Sequence, residues 1–164
     1  MSAVDSDHIF VRQISPDETI ALRHAVLWPN HPVSHVLLPE DCRGSHYGAF
    51  LPHNDAPVAI ISVFKESLPI DMSQEDAQDE VNSAAAARFR KFACDPSYQG
   101  RGIGTKLLSH VFEAAVHELG CDVIWCDARL VTAEWYERKG MSRFGDGFYK
   151  EDVPYIRMQA SLKP

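Results

Sequence analysis

The sequence predicts a mixed α/β layer with a helix crossing between two central strands, and three observations carry that reading. Ile103, Leu107, Leu108, Val111, Phe112, Ala115 and Leu119 form one apolar stripe at helical spacing, bounded by glycines on both sides. Apolar strand-like runs, 84–94 and 122–127, flank that helix. The chain has 164 residues, 45% of them hydrophobic and 24% charged, which suits one globular domain spanning residues 1–164. At that length folding buries roughly 70% of the unfolded surface, so a core forms without staples.

Residues 8–14 read as a first strand. Ser15-Pro16-Asp17-Glu18 combines a capping box with proline at the first helical position, so a helix starts there and carries Ile20, Leu22, Ala25 and Val26. Trp28-Pro29-Asn30-His31-Pro32 is a loop, because its prolines break a helix. Residues 47–51 and 58–64 read as two strands joined by a hairpin turn at His53-Asn54-Asp55-Ala56. Residues 66–82 are polar and acidic and read as a solvated loop. A long strand over 84–94 follows, then the striped helix with its stop at Gly120. Residues 122–127 make a short buried strand, and 132–139 a short helix closed by Gly140. Two last strands fall at 142–148 and 154–162. The order is β-α-β-β-β-α-β-α-β-β.

Bulk properties narrow the partners. A net charge of −7 argues against nucleic acid. No apolar run reaches the roughly 18 residues a membrane span needs. Residues 1–7 lack a basic n-region and an apolar h-region, so no signal peptide is expected. The four cysteines are then expected as reduced thiols in the cytoplasm. Neither Cys42, Cys94, Cys121 and Cys126 nor the histidines show ligand spacing, so no metal is expected.

The most informative segment is Gln99-Gly100-Arg101-Gly102-Ile103-Gly104, at a strand-to-helix junction. Glycines there let backbone approach a bulky anion, and the helix aims N–H groups and a positive dipole end at it. The dinucleotide fingerprint fails, since Thr105 and Leu107 stand where its last glycine would be in the two registers. The P-loop fails too, because Thr105 separates Gly104 from Lys106. What remains is Q-x-x-G-x-G with Arg101 before Gly102.

That pattern resembles the coenzyme A loop of the GNAT N-acetyltransferases, and the order of elements is similar to theirs. Further segments resemble the glyphosate N-acetyltransferases in particular: Leu22-Arg23-His24 with 27–32, 124–129 followed by 133–141, and 145–148 with 153–158. The resemblance implies the GNAT fold: a mostly antiparallel mixed sheet flanked by helices in three layers. It implies acetyl-CoA as donor and a small-molecule amine as acceptor, on a monomer or homodimer. Backbone N–H groups of Gln99, Gly100, Arg101, Gly102, Ile103, Gly104 and Thr105 would hold the pyrophosphate, with Arg101 and Lys106 adding charge. The backbone of Phe92, Ala93 and Cys94 would lie along pantetheine, and one N–H there would polarise the thioester carbonyl. Such a donor is worth roughly 3 kcal/mol.

Acyl transfer to an amine also needs an acid for the leaving thiolate. The resemblance puts Tyr136 in that role, and a phenol with pKa about 10 can donate to a thiolate near 8.5 only within hydrogen-bond reach. Packing in the core is the alternative for Tyr136, and Trp135 reads as core. Where the glyphosate-acetylating relatives carry a catalytic histidine, this chain has Tyr155. Three readings stay open: Tyr155 orients the amine while water takes the proton, one of His31, His35 and His46 acts, or the amine arrives neutral. Each of those histidines also reads as a solvated loop residue. Arg90 and Arg129 match the relatives' anion-binding arginines and can grip a carboxylate bidentately. Their alternative is ion pairing to Asp127, Glu134 or Glu137. A third arginine of those relatives is Trp28 here, which suits a carboxylate with an apolar or flat side chain better than a phosphonate. A protein or peptide acetyltransferase and a non-catalytic acyl-CoA binder are the competing classes.

Overall fold

A computed structural model describes residues 8–69 and 85–163. The acidic run read as a solvated loop lies mostly outside the described residues, as does the segment before His8 and the start of the strand expected at Ala84. The described chain divides into two compact units, residues 8–64 with 91–111, and residues 65–69 and 85–90 with 112–163.

The first unit opens with β1 (Phe10–Ile14) and a helical segment, then β2 (Ser45–Phe50) and β3 (Ala59–Lys65). Both pairings are antiparallel, with Ile14 opposite His46 and Ala49 opposite Ala59. The expected turn closes through Asn54 N–H to the Leu51 carbonyl at 3.2 Å and Val58 N–H to the Ala49 carbonyl at 2.8 Å. Ile14, Phe50, Ile60 and Ala93 form the core here, with Leu22, Val26 and Leu27 of the helical segment packed against it. That segment departs from a plain helix. It runs as a 3₁₀ turn (Pro16–Thr19), one α turn α1 (Ile20–Leu22) and a π turn (Arg23–Leu27). The cap is as expected on one side, since Glu18 accepts from the Ser15 N–H at 2.9 Å. Two further 3₁₀ turns, Val33–Val36 and Pro39–Arg43, have no counterpart in the sequence reading.

A buried polar network explains the π turn. Arg23 is fully buried and donates to both oxygens of Asp41 at 2.8 Å, to Ser62 Oγ at 2.8 Å and to the Val36 carbonyl at 3.1 Å. His46 completes it with Nδ1 2.7 Å from Ser62 Oγ and Nε2 2.9 Å from the Asp41 carbonyl. Widening the helix at Arg23 lets one guanidinium reach partners on three other elements, and a buried cation needs all of them. His46 is therefore a buried strand residue, which corrects the solvated-loop reading.

Strand β4 (Ala86–Cys94) runs through both units, followed by α2 (Ile103–His117). Ile103, Leu107, Leu108 and Val111 are buried as the stripe requires, while Phe112 and Leu119 are only half-buried. Gly120, φ +65°, closes off the helix after its last turn, with the Cys121 N–H returning to the Ala115 carbonyl at 2.8 Å. The second unit then holds β5 (Val123–Arg129), α3 (Ala133–Glu137), β6 (Ser142–Lys150) and β7 (Val153–Ser161). A 3₁₀ turn (Leu130–Thr132) precedes α3, so the expected helix over 132–139 is shorter.

β4 and β5 are parallel, and β5–β7 and β6–β7 are antiparallel. β3 and β4 run antiparallel, as Glu66 N–H reaches the Ala86 carbonyl while Asp95 N–H reaches the Val58 carbonyl. Strand order is β1-β2-β3-β4-β5-β7-β6. The fold is the mixed, mostly antiparallel seven-stranded sheet with flanking helices that the resemblance implied.

Candidate active site

In the first unit, the glycine segment sits between the end of β4 and α2. Asp95 caps a 3₁₀ turn (Pro96–Tyr98) by accepting from the Ser97 N–H at 2.9 Å. The Gln99 side chain folds back to donate to the Cys94 carbonyl at 3.0 Å. Gly100 and Gly102 both adopt left-handed φ, +79° and +80°, with open space where a Cβ would stand. They are glycines for their backbone angle, and the open space leaves room for a large group to lie against the loop. Lys106 N–H makes the first intrahelical bond, to the Gly102 carbonyl at 3.0 Å. The N–H groups of Ile103, Gly104 and Thr105 therefore lie in the first turn, where no intrahelical acceptor is available. This geometry fits a pyrophosphate. Arg101 is exposed and lies over Tyr98, 5.6 Å from its ring, whereas the Lys106 amine is held by the Ile9 carbonyl at 2.5 Å.

Cys94 is the last residue of β4. Burial, helped by neighbouring Asp95, raises its thiol to about 11, so it stays protonated at neutral pH. Trp28 is buried at the end of the π turn. It meets His31 and His35 edge-on, both at 5.0 Å, and those two rings stack at 4.2 Å.

In the second unit, register sorts the side chains onto two faces. Paired positions share a face, and alternate residues face opposite ways. Arg88 pairs with Trp125, Asp127 with Arg157, and Arg129 with Tyr155. Phe89, Ile124, Cys126, Ala128, Ile156, Met158 and Ala160 fall on the other face and are all buried.

The polar face is a charge cluster around one buried carboxylate. Asp127 Oδ2 lies 2.7 Å from Arg88 and 3.1 Å from Lys150, and Oδ1 lies 3.4 Å from Arg157. Arg88 also reaches Glu66 at 2.9 Å and covers Trp125, 4.7 Å from its ring. Arg129 Nε donates to the Tyr155 hydroxyl at 3.4 Å. Lys150 Nζ stands 4.7 Å over the Tyr155 ring, which stacks on Phe148 at 5.8 Å. Arg90 follows Arg88 on the same face and is near enough to oppose charge on Lys150. The β4–β5 register ends at Arg88, four residues before Phe92, and Lys91 between them has φ +55°.

Tyr136 packs on the apolar face instead, 5.8 Å from the Phe89 ring and 5.1 Å from Trp135. Burial, with a smaller push from Cys126, holds its phenol well above the usual range, so it is neutral at any working pH. Trp135, expected in the core, is half-buried with Lys139 5.0 Å over its ring.

The structure thus brings Arg129 and Tyr155 together and places Arg90 on their face. Sequence reasoning missed Arg88, Lys150 and Arg157. The period-two spacing of Arg88 with Arg90 and of Asp127 with Arg129 carried part of that signal. The partners Lys150 and Arg157 depend on β6–β7 register.

Comparison with known proteins gives a consistent assignment. A family model described as an acetyltransferase (GNAT) domain matches residues 55–140. YitI of Bacillus subtilis (strain 168), an uncharacterized N-acetyltransferase, is 28% identical over 148 residues, 89% of each chain. FeeM, an N-acyl amino acid synthase from uncultured soil microbes, superposes with a TM-score of 0.73 at 17% identity, covering 94% of this chain and 91% of that one. A chain of the NatC complex bound to Gag peptide and CoA gives 0.70 at 16%, covering 95% and 99%. At those identities the two structures establish the fold alone.

Proposed function

Because this chain belongs to the GNAT acetyltransferase family, whose members are acyl-CoA-dependent acyltransferases, we propose that it acetylates the primary amine of a small, amino-acid-like molecule bearing an anionic group, with acetyl-CoA as donor. The observation that carries this is the charged face of the second unit. There Arg88, Lys150 and Arg157 gather on Asp127, while Arg90 and Arg129 stand on the same face and Arg129 donates to the Tyr155 hydroxyl. Guanidiniums aligned on one face suit an acceptor that supplies negative charge.

On this reading Arg90 and Arg129 grip the acceptor's anion and Tyr155 orients its amine. The loop from Gln99 to Thr105 holds the pyrophosphate of acetyl-CoA, and the backbone of Phe92, Ala93 and Cys94 runs along pantetheine. Tyr136 protonates the thiolate. Its neutral phenol suits an acid, and the protonated Cys94 thiol supports direct attack by the amine over an acyl-cysteine. Among the described residues no helix is long and apolar enough to cross a membrane.

The test is coenzyme A release over amino acids, aminophosphonates, polyamines and lysine peptides. Turnover of small acidic amines above the rest is expected. Turnover of lysine peptides alone would give the chain to the peptide-modifying class, and binding of coenzyme A without any transfer would make it a binding module.

A further inference from the structure

Resting on that reading, we propose that Lys150 takes the proton that the acceptor amine gives up. Three features of the face lead there. First, the Tyr155 hydroxyl already accepts from Arg129 Nε at 3.4 Å, which engages the oxygen a base would need. Second, Lys150 Nζ stands over that same ring at 4.7 Å, so a basic nitrogen reaches the acceptor position from β6. Its side chain is 36% exposed and open to a substrate, whereas Asp127, at 9%, is not. Third, Asp127 holds the amine in place at 3.1 Å but is shared with Arg88 and Arg157, which dilutes its pull on the Lys150 charge.

The charged and titratable groups facing Lys150 are Arg88 and Arg90 from β4, Asp127 from β5, and Tyr155 and Arg157 from β7. Burial lowers the Lys150 amine below its ordinary value. Asp127 opposes this, Arg88 and Arg90 reinforce it, and the balance stays low. A lysine so placed has a larger neutral fraction at mildly alkaline pH than a solvated one.

In the step, the amine lone pair forms the N–C bond to the thioester carbonyl carbon and an N–H proton passes to neutral Lys150 Nζ. The C–S bond then breaks, and the thiolate takes its proton from Tyr136. Lys150 releases its proton to solvent and Tyr136 recovers one, so amine and acetyl-CoA give amide and coenzyme A.

Lys150→Arg tests this, because arginine keeps the charge and the Asp127 pair but never becomes neutral. With whichever amine the wild type acetylates, its kcat should rise with pH along one limb. Lys150→Arg should lower kcat by about a hundredfold and abolish that limb, with both KM values within about threefold. A kcat within about twofold of wild type with the limb intact overturns the proposal, as does a loss confined to acceptor KM. If Lys150→Arg folds poorly, Lys150→Ala with added methylamine decides: recovery of kcat supports the role and absence of recovery overturns it. Failure of the acidic-acceptor reading shows separately, in the wild-type amine panel.

Discussion

Arg129 and Tyr155 are register partners on β5 and β7, and the arginine Nε donates to the tyrosine hydroxyl at 3.4 Å. That bond turns the phenol into an acceptor toward the protein and leaves its own proton available to a ligand. It also fixes the guanidinium plane beside the ring. Arg129→Ala should therefore raise acceptor KM by roughly tenfold to a hundredfold, about 1.4 to 2.8 kcal/mol, with acetyl-CoA KM unchanged. Arg129→Lys should not restore it, since an ammonium cannot donate to phenol and carboxylate in one plane. Steady-state kinetics with both substrates varied checks this.

Tyr136→Phe keeps the ring on Phe89 and removes only the hydroxyl. Its kcat should fall by about a hundredfold while the melting temperature moves by no more than about 2 °C. Because burial holds the phenol well above its ordinary value, its acid form persists, and wild-type activity should show no loss from Tyr136 ionisation up to about pH 10. A pH–rate profile of both proteins reads this out.

The glycine loop makes a different prediction. Gly100→Ala and Gly102→Ala meet no steric clash but force a side chain to φ near +80°. Each should cost about 1 to 2 kcal/mol in stability. Acetyl-CoA KM should rise in both and acceptor KM should not, as seen by thermal melting beside kinetics.

Much of this was legible in the sequence. The α2 stripe, the glycines at Gly100 and Gly102 and the succession of elements along the chain follow from local periodicity and turn chemistry. Arg129 and Tyr155 were both named as site residues from the resemblance, but their pairing needed the β5–β7 register. Lys150 and Arg157 were invisible because their roles arise only when β6, β7 and β5 align on Asp127. His46 read as a loop residue because its burial depends on Ser62 across the β2–β3 pair and on the Asp41 carbonyl.

The buried network around Arg23 ties stability to pH through Asp41. Burial pushes the Asp41 carboxyl up, but hydrogen bonds from Arg23 and the Leu38 N–H and the charges of Arg23 and His46 outweigh it, leaving it below its ordinary 3.8. A carboxyl lowered in the fold contributes stability that is present above about pH 4 and lost as pH falls through its folded value. Asp41→Ala should cost about 3 to 5 kcal/mol by leaving a buried guanidinium uncompensated. Urea melts of both proteins from pH 7 to pH 3 should converge toward the acid end.

The central claim, an acceptor recognised through its anion, is tested most directly by a matched pair: one amino acid and the amine left when its carboxylate is removed. The account predicts kcat/KM at least about a hundredfold higher for the amino acid, with that preference shrinking to within about tenfold in Arg129→Ala. Equal kcat/KM for the two in the wild-type protein would contradict it.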